Sequence, residues 1–61
     1  MKVSELKRKV SKQGCRLERH GGKHDIWVNP KTGQTAEIPR HDAKEIKTGT
    51  AQKILKDLGL K

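Results

Sequence analysis

CRLERHGGKHDIWVNPKTG, residues 15–33, carries the clearest structural signal in this chain. Residues 15–20 alternate with a period of two and stop at the glycine pair Gly21-Gly22, a pattern that predicts a strand and a turn. A second strand is then predicted from about Lys23 to Val28. The two strands with a short turn between them indicate an antiparallel pair.

A third strand follows after a second turn. Residues 29–33 form this turn, in which Pro30 presets φ and Gly33 tolerates positive φ. Gln34–Ile38 is the third short strand, and Pro39 is expected to end it. The three strands together predict an antiparallel meander.

Helical patterns lie on both sides of the meander. Ser4 is a favourable N-cap, and Leu6 and Val10 follow with i, i+4 spacing, so we predict a first helix over Ser4–Gln13 that ends at Gly14. A polar connection over residues 40–47, with Ile46 as its apolar anchor, precedes the final helix.

The final helix has several possible N-cap residues in Thr48-Gly49-Thr50, and Gly59 is expected to end it. Its apolar residues recur at i, i+3, i+4 and i+7: Ala51, Ile54, Leu55 and Leu58. The resulting fold class is α+β, in the order α-β-β-β-α, with two helices on one face of a three-stranded antiparallel sheet. Residues 1–61 are expected to form a single domain.

Composition excludes several classes of protein. The chain has 61 residues, of which 30% are hydrophobic, with Trp27 as its one aromatic residue, so a large cofactor pocket is excluded and no cofactor is expected. One cysteine, Cys15, forbids an internal disulfide. The N-terminal residues lack the apolar core of a signal peptide, and no apolar run is long enough to span a membrane. We therefore expect a cytoplasmic protein.

The charge balance points to a polyanionic partner. The chain has fifteen Lys and Arg residues and seven Asp and Glu residues, which gives a formal net charge of +8. Singly, the basic residues of the two helices are typical of solvated helix faces. Collectively, so large an excess on so small a domain favours binding to RNA or DNA through phosphates. The helix residues concerned are Lys7, Arg8, Lys9, Lys12, Lys53 and Lys56.

Trp27 has two interpretations. In the second strand, His24, Ile26 and Val28 share one face, and Trp27 shares the other with Asp25. If the aliphatic pair faces the helices, the indole lies on the open sheet face and could stack on a base. If Trp27 faces the core, the aliphatic pair is partly exposed, and this is the favoured interpretation because tryptophan is mostly buried.

The segment His20–His24 is the most informative for chemistry. Its two glycines allow a ligand to approach the backbone, Lys23 supplies a charge for phosphate, and His24 supplies an imidazole, the type of side chain used most often for proton transfer. An imidazole is well suited to moving a proton during RNA phosphodiester cleavage. The alternative is a glycine turn flanked by solvated basic residues. The segment is not a P-loop, because the motif's spacing and its Ser/Thr are missing.

Cysteine and histidine spacing argues against a metal site. Cys15, His20, His24 and His41 match none of the tight pairs found in structural zinc sites, so no metal is expected. Cys15 itself is expected to be a small buried apolar residue rather than a nucleophile.

Several of these features, in this order, resemble the HicA-type toxins. A short first helix that ends in glycine is followed by a strand, and then by Gly-x-His at the start of a second strand that carries an aromatic residue. The resemblance covers nearly the whole chain. The matching residues are Gly22, His24, Trp27, Pro30 and the stretches 38–41, 46–50 and 54–60.

This resemblance implies an RNA-cleaving toxin of a bacterial type II toxin–antitoxin pair, with a fold similar to double-stranded-RNA-binding domains. It implies ribosome-independent mRNA cleavage that depends on one histidine, which falls on His24. It also implies a HicB-type antitoxin that covers this histidine, giving a toxin–antitoxin hetero-oligomer. Lys23 departs from the family, which commonly has serine there, so an ammonium group replaces a hydroxyl.

The leading hypothesis is therefore an mRNA endoribonuclease in which His24 is the general acid or base for attack of a ribose 2′-hydroxyl on the adjacent phosphate. One imidazole cannot serve both ends of this reaction, and His20, His41 or solvent could supply the second group. The candidate RNA-binding residues are Gly22, Lys23, Arg40 and Lys47. Two alternatives are a non-catalytic RNA- or DNA-binding module of the same fold and a domain that docks on an acidic protein.

Overall fold

The computed structural model describes residues 1–60 and has the element order α-β-β-β-α, as predicted. The strands form one antiparallel sheet in the order β1-β2-β3. Predicted and observed boundaries differ by one or two residues, which is the usual uncertainty at element ends. The elements are α1 (Val3–Lys12), β1 (Arg16–His20), β2 (His24–Val28), β3 (Thr35–Pro39) and α2 (Thr48–Asp57).

The core lies between the two helices and one face of the sheet. Ala36 and Ile38 of β3 point to this face and are buried against the apolar stripes of both helices. The predicted stripe of α2 is confirmed, and so are Ile46 and Cys15 as buried residues. Burial also raises the pKa of the Cys15 thiol, which disfavours the reactive thiolate. The core residues contributed by the two helices and by the C-cap of α2 are Val3, Leu6, Val10, Ala51, Ile54, Leu55 and Leu58.

The start of α1 differs from the prediction. Lys2, not Ser4, is the N-cap residue, and Ser4 lies inside the first turn. The backbone N–H groups of Val3 and Ser4 donate to the carbonyls of Lys44 and Asp42, at 2.9 and 3.0 Å. The 42–44 connection therefore satisfies donors that a side-chain cap would otherwise have to satisfy.

The start of α2 also differs. None of the three candidate caps in Thr48-Gly49-Thr50 is used, because Lys47 is the N-cap residue and those three form the first turn. The predicted end is confirmed: Gly59 has φ +72°, and the N–H of Leu60 donates to the carbonyl of Leu55. Neither helix within residues 1–60 is long and apolar enough to cross a membrane.

The turn between β2 and β3 is tied to α2 by Asn29. This residue is buried, and its side-chain Nδ2 donates to the carbonyl of Leu58 at 2.7 Å. Gly33 has φ +76°, as the turn prediction required. Pro39, expected to lie beyond the third strand, is its last residue and pairs with His24. An edge strand tolerates proline at its end because no partner there needs its N–H.

β1 is a strand, as predicted, but its alternation does not correspond to burial. All five of its residues are exposed, and the register shifts between Leu17 and Arg19. This irregularity places Glu18 as an extra residue opposite β2. Both helices pack against β3, at the edge of the sheet opposite β1.

The two interpretations of Trp27 are resolved by the strand pairing. Trp27 lies opposite Ala36, on the face that packs against the helices, and its half-buried indole contacts the core. The structural interpretation is confirmed, and stacking on the open sheet face is wrong. Ile26 and Val28 are consequently half-buried on the open face together with His24.

Candidate active site

His24 is the first residue of β2 and lies on the strand face that also carries Ile26 and Val28. The turn before it is closed by the N–H of Gly21, which donates to the carbonyl of His24 at 2.9 Å. Pro39 pairs with His24 on the neighbouring strand. The imidazole therefore sits at one end of the sheet, where the turn, the end of β3 and the 40–44 connection meet.

A cleft of about 530 Å³ opens at this end. Five of its six lining residues carry basic side chains, and the sixth is a proline, so it offers a concentrated positive field to an anion. We call it the basic cleft. Its lining residues are Lys23, His24, Pro39, Arg40, His41 and Lys44.

One wall of the basic cleft is anchored on α1. Lys7 Nζ donates to Asp42 Oδ1 at 2.7 Å. Asp42 lies between His41 and Lys44 in the chain, so this ion pair ties their connection to α1. The backbone carbonyls of residues 42 and 44 accept from the first turn of α1, as described above. Lys7, predicted as part of a solvated helix face, thus fixes the connection that presents His41 and Lys44.

His24 also borders a second, smaller depression of about 300 Å³, between β3 and α2. This groove differs from the basic cleft in charge, because it has two carboxylates and one ammonium beside small polar and apolar groups. The imidazole therefore lies between a cationic cleft and a groove in which acidic groups outnumber basic ones. The other lining residues are Thr35, Ala36, Glu37, Pro39, Thr50, Lys53, Ile54 and Asp57.

Asp25 forms a polar cluster directly behind the turn. It is only 6% exposed, and its Oδ1 accepts from Arg40 Nε at 2.9 Å and lies 2.8 Å from His20 Nδ1. The His20 ring, and then the Arg40 guanidinium, hold the pKa of this carboxyl below its ordinary value, although burial opposes them. Asp25 therefore remains an anion beneath the cationic surface.

The sequence candidates divide into two groups. Lys23, His24, Arg40 and His41 line one cleft, whereas Lys47 is the exposed N-cap of α2 and is not among that cleft's lining residues. His20 is likewise absent from the lining and is held by Asp25 instead. No group of His, Cys, Asp and Glu within residues 1–60 is arranged to hold a metal ion.

Sequence reasoning missed two components of this site. Lys44 lies in a polar connection with no periodic pattern, so only its positive charge marked it. For Asp25, the strand pattern indicates only the face of β2 on which it lies. Its position next to His24 in a basic segment was the available signal, because a buried carboxylate needs cationic partners.

Comparison with known proteins fits this arrangement. A sequence profile for the family described as "HicA toxin of bacterial toxin-antitoxin" matches residues 3–60. The chain belongs to the HicA toxin family. The "Probable mRNA interferase HicA" of Pseudomonas fluorescens (strain Pf0-1) is 37% identical over 62 residues, covering all of this HicA-family chain and 98% of the relative.

A solved structure agrees at the level of the fold. The crystal structure of the E. coli HicAB toxin–antitoxin complex contains a chain that is 35% identical and superposes with a TM-score of 0.83. The match covers 98% of this HicA-family chain and 100% of the other. The helices, the sheet and the turn before His24 therefore all fall within the shared fold.

Proposed function

We propose that this HicA-family chain is a toxin endoribonuclease that cleaves mRNA, with His24 as a general acid or base. The observation that carries the proposal is the position of the His24 imidazole in the wall of the basic cleft. The positive field attracts the RNA backbone, and an imidazole transfers protons effectively near neutral pH. Since mRNA is the substrate, the activity belongs to the cytoplasm.

The proposed reaction is attack of a ribose 2′-oxygen on the adjacent phosphorus. A new P–O2′ bond forms as the P–O5′ bond breaks, leaving a 2′,3′-cyclic phosphate and a 5′-hydroxyl. One group takes the proton of the 2′-hydroxyl, and another gives a proton to the departing 5′-oxygen. Of the two other histidines, His41 shares the cleft with His24, whereas Nδ1 of His20 is already engaged by Asp25. We therefore assign the second role to His41.

Phosphate binding is assigned to the cations around His24. Lys23 and Lys44 are the ammonium groups in the cleft, and Arg40 keeps N–H donors beyond those used within the protein. A Cβ on Gly22 would meet nothing within 4 Å, so packing inside the protein does not require glycine there. The missing side chain instead allows the RNA backbone to approach the main chain closely. Lys47, outside the cleft, would contact RNA that extends toward α2.

The proposed partner is a HicB-type antitoxin. The related E. coli chain was solved in a HicAB complex, and the basic cleft offers an acidic protein surface the same attraction that it offers RNA. An antitoxin that covers His24 in a hetero-oligomer would block the reaction by excluding the phosphate backbone.

The decisive experiment compares wild type with His24→Ala on a short labelled RNA. We expect the variant to cleave about 10²–10⁴-fold more slowly, to bind RNA with unchanged affinity and to retain the wild-type circular dichroism spectrum. A substrate with a single 2′-deoxyribose at the cleaved position should resist both proteins.

Two results would contradict the proposal. Equal cleavage by a folded His24→Ala protein would remove His24 from the chemistry. Binding without cleavage by the wild type would favour the alternative of a non-catalytic RNA- or DNA-binding module, which the same cationic cleft could serve.

A further inference from the structure

Asp25 is a buried carboxylate for which the proposed chemistry has no direct use. It follows His24 in the chain, but its side chain points to the opposite face of the sheet, opposite Ile38. Burying an unpaired charge is costly, and two cationic or ionisable partners, His20 and Arg40, meet its Oδ1. Because burying this carboxylate is costly, we expect Asp25 to have a role other than filling space in the sheet.

Arg40 connects this carboxylate to the turn before His24. Its Nε donates to Asp25, while its Nη2 donates to the backbone carbonyl of Gly21. The N–H of Gly21 in turn donates to the carbonyl of His24. Both backbone polar groups of Gly21 are thus engaged, one by the residue after β3 and the other by the first residue of β2.

The turn fits tightly inside this set of contacts. A Cβ on Gly21 would lie 2.6 Å from the carbonyl oxygen of His24, closer than any side chain tolerates. Gly22, by contrast, has open space on its side. Of the two glycines in this turn, packing therefore requires glycine at position 21, between Arg40 and His24, and not at position 22.

We propose that Asp25, through Arg40, is a positioning residue that fixes the Gly21 turn and thereby aims His24 into the basic cleft. Successive residues of a strand face opposite sides, so holding Asp25 beneath the sheet holds His24 above it. His20, opposite Asp25 on β1, closes the cluster from the other side. This inference rests on the proposed function, in which His24 carries the proton transfer.

Arginine is required at position 40 for this purpose, and lysine cannot replace it. A planar guanidinium donates to the carboxylate and to the carbonyl at once, whereas an ammonium is a single point charge on a flexible stem. Arg40→Lys therefore separates two roles. It keeps the positive charge that attracts RNA, and it removes the double contact that holds the turn.

The experiment compares Arg40→Lys and Asp25→Asn with wild type, and uses Glu18→Gln as the control. Glu18 is an exposed carboxylate on β1, so its substitution makes the same charge change as Asp25→Asn without touching the cluster. Cleavage of a short RNA gives kcat and KM, and NMR gives the amide hydrogen exchange rate of Gly21. Melting curves confirm that each variant is folded.

For Arg40→Lys we expect kcat to fall about 10–100-fold, because a small misplacement of a reacting group costs up to about 10²-fold. KM should stay within about threefold, since the charge in the cleft is retained. Asp25→Asn should lower kcat in the same direction. Gly21 exchange should accelerate in both variants and remain unchanged in Glu18→Gln.

Each other outcome has a distinct meaning. If Arg40→Lys retains the wild-type kcat, the positioning role is overturned, and faster Gly21 exchange would then mark the contacts as structural only. If Gly21 exchange is unchanged in both variants, the contacts do not hold the turn, whether or not the protein cleaves RNA. If wild type cleaves no RNA while Gly21 exchange responds as expected, the proposed function fails and the turn-holding contacts stand.

Discussion

Around β3 the molecule is held together by apolar burial, whereas the end of the sheet that carries His24 is held by charged hydrogen bonds. Ile38 of β3 is fully buried, and so are Leu6 and Leu58, which belong to the same core. All of β1 is exposed, and the adjacent turn is contacted by Arg40, which donates both to the carbonyl of Gly21 and to the carboxylate of Asp25. Because only 30% of its residues are hydrophobic, the chain buries one part of the sheet under its helices, and polar contacts stabilise the rest.

The division suits a protein that handles a polyanion. Cationic groups are costly to bury, so the basic cleft lies where the helices do not cover the sheet. One anion, Asp25, is placed under the turn, where it orders a cation without lying among the residues that line the cleft. Stability and the candidate chemistry therefore depend on different residues, and substitutions should separate them.

The largest effect is expected from the apolar part. Leu58→Ala should lower the free energy of unfolding by about 2–5 kcal/mol, because Leu58 is fully buried in a thin core. The same substitution at Leu17, which is 41% exposed on β1, should cost less than about 0.5 kcal/mol. Urea unfolding of both variants measures the difference. Equal losses would mean that β1 shares the core with β3.

Much of this division could be predicted from the sequence. The i, i+3, i+4 and i+7 spacing of Ala51 to Leu58 predicted the buried stripe of α2, and the glycine and proline positions predicted the turns. The resemblance to HicA toxins identified His24 as the candidate catalytic histidine. The structure places it in a cleft with Lys23, Arg40 and His41. These features depend on local patterns, which a sequence displays directly.

Features that depend on distant contacts could not be predicted. Ser4 is a good N-cap by residue type, but the carbonyls of the 42–44 connection satisfy the first donors of α1 instead. The exposure of β1 depends on where the helices pack, not on its own alternation. Asp25 and Arg40 are separated by 15 residues in the chain, and no periodicity connects them. Only the folded sheet brings such a pair together.

An intermediate effect is expected from acid on the polar part. The pKa of Asp25 is held below its ordinary value, first by the His20 ring and then by Arg40. Its contribution to stability is therefore fully present above the unfolded-state pKa of about 3.9 and is lost as the pH falls through the lower folded-state pKa. Asp25→Asn lacks this contribution at every pH.

The melting temperatures of wild type and Asp25→Asn should consequently show their full difference at about pH 5 and converge as the pH is lowered toward about 2. Glu18→Gln, which alters an exposed carboxylate, should show no such convergence. A constant difference between wild type and Asp25→Asn across this range would mean that neutralising the carboxyl does not weaken the cluster.

The smallest effect, and the one that tests the function of the polar part, concerns salt. In a His24→Ala background, RNA affinity should fall with salt, by about 0.7 in log–log slope for each phosphate contacted on a single strand. Three to five contacts would give a slope of about −2 to −4. Lys23→Ala should reduce this slope by nearly one unit without changing the melting temperature, because Lys23 is an exposed residue of the basic cleft.

Lys9→Ala removes the same charge from the exposed face of α1, outside that cleft, and should leave the slope nearly unchanged. Equal changes from the two substitutions would mean that RNA responds to the overall charge of +8 rather than to the cleft around His24. The division between an apolar part that folds and a polar part that binds would then have no counterpart in function.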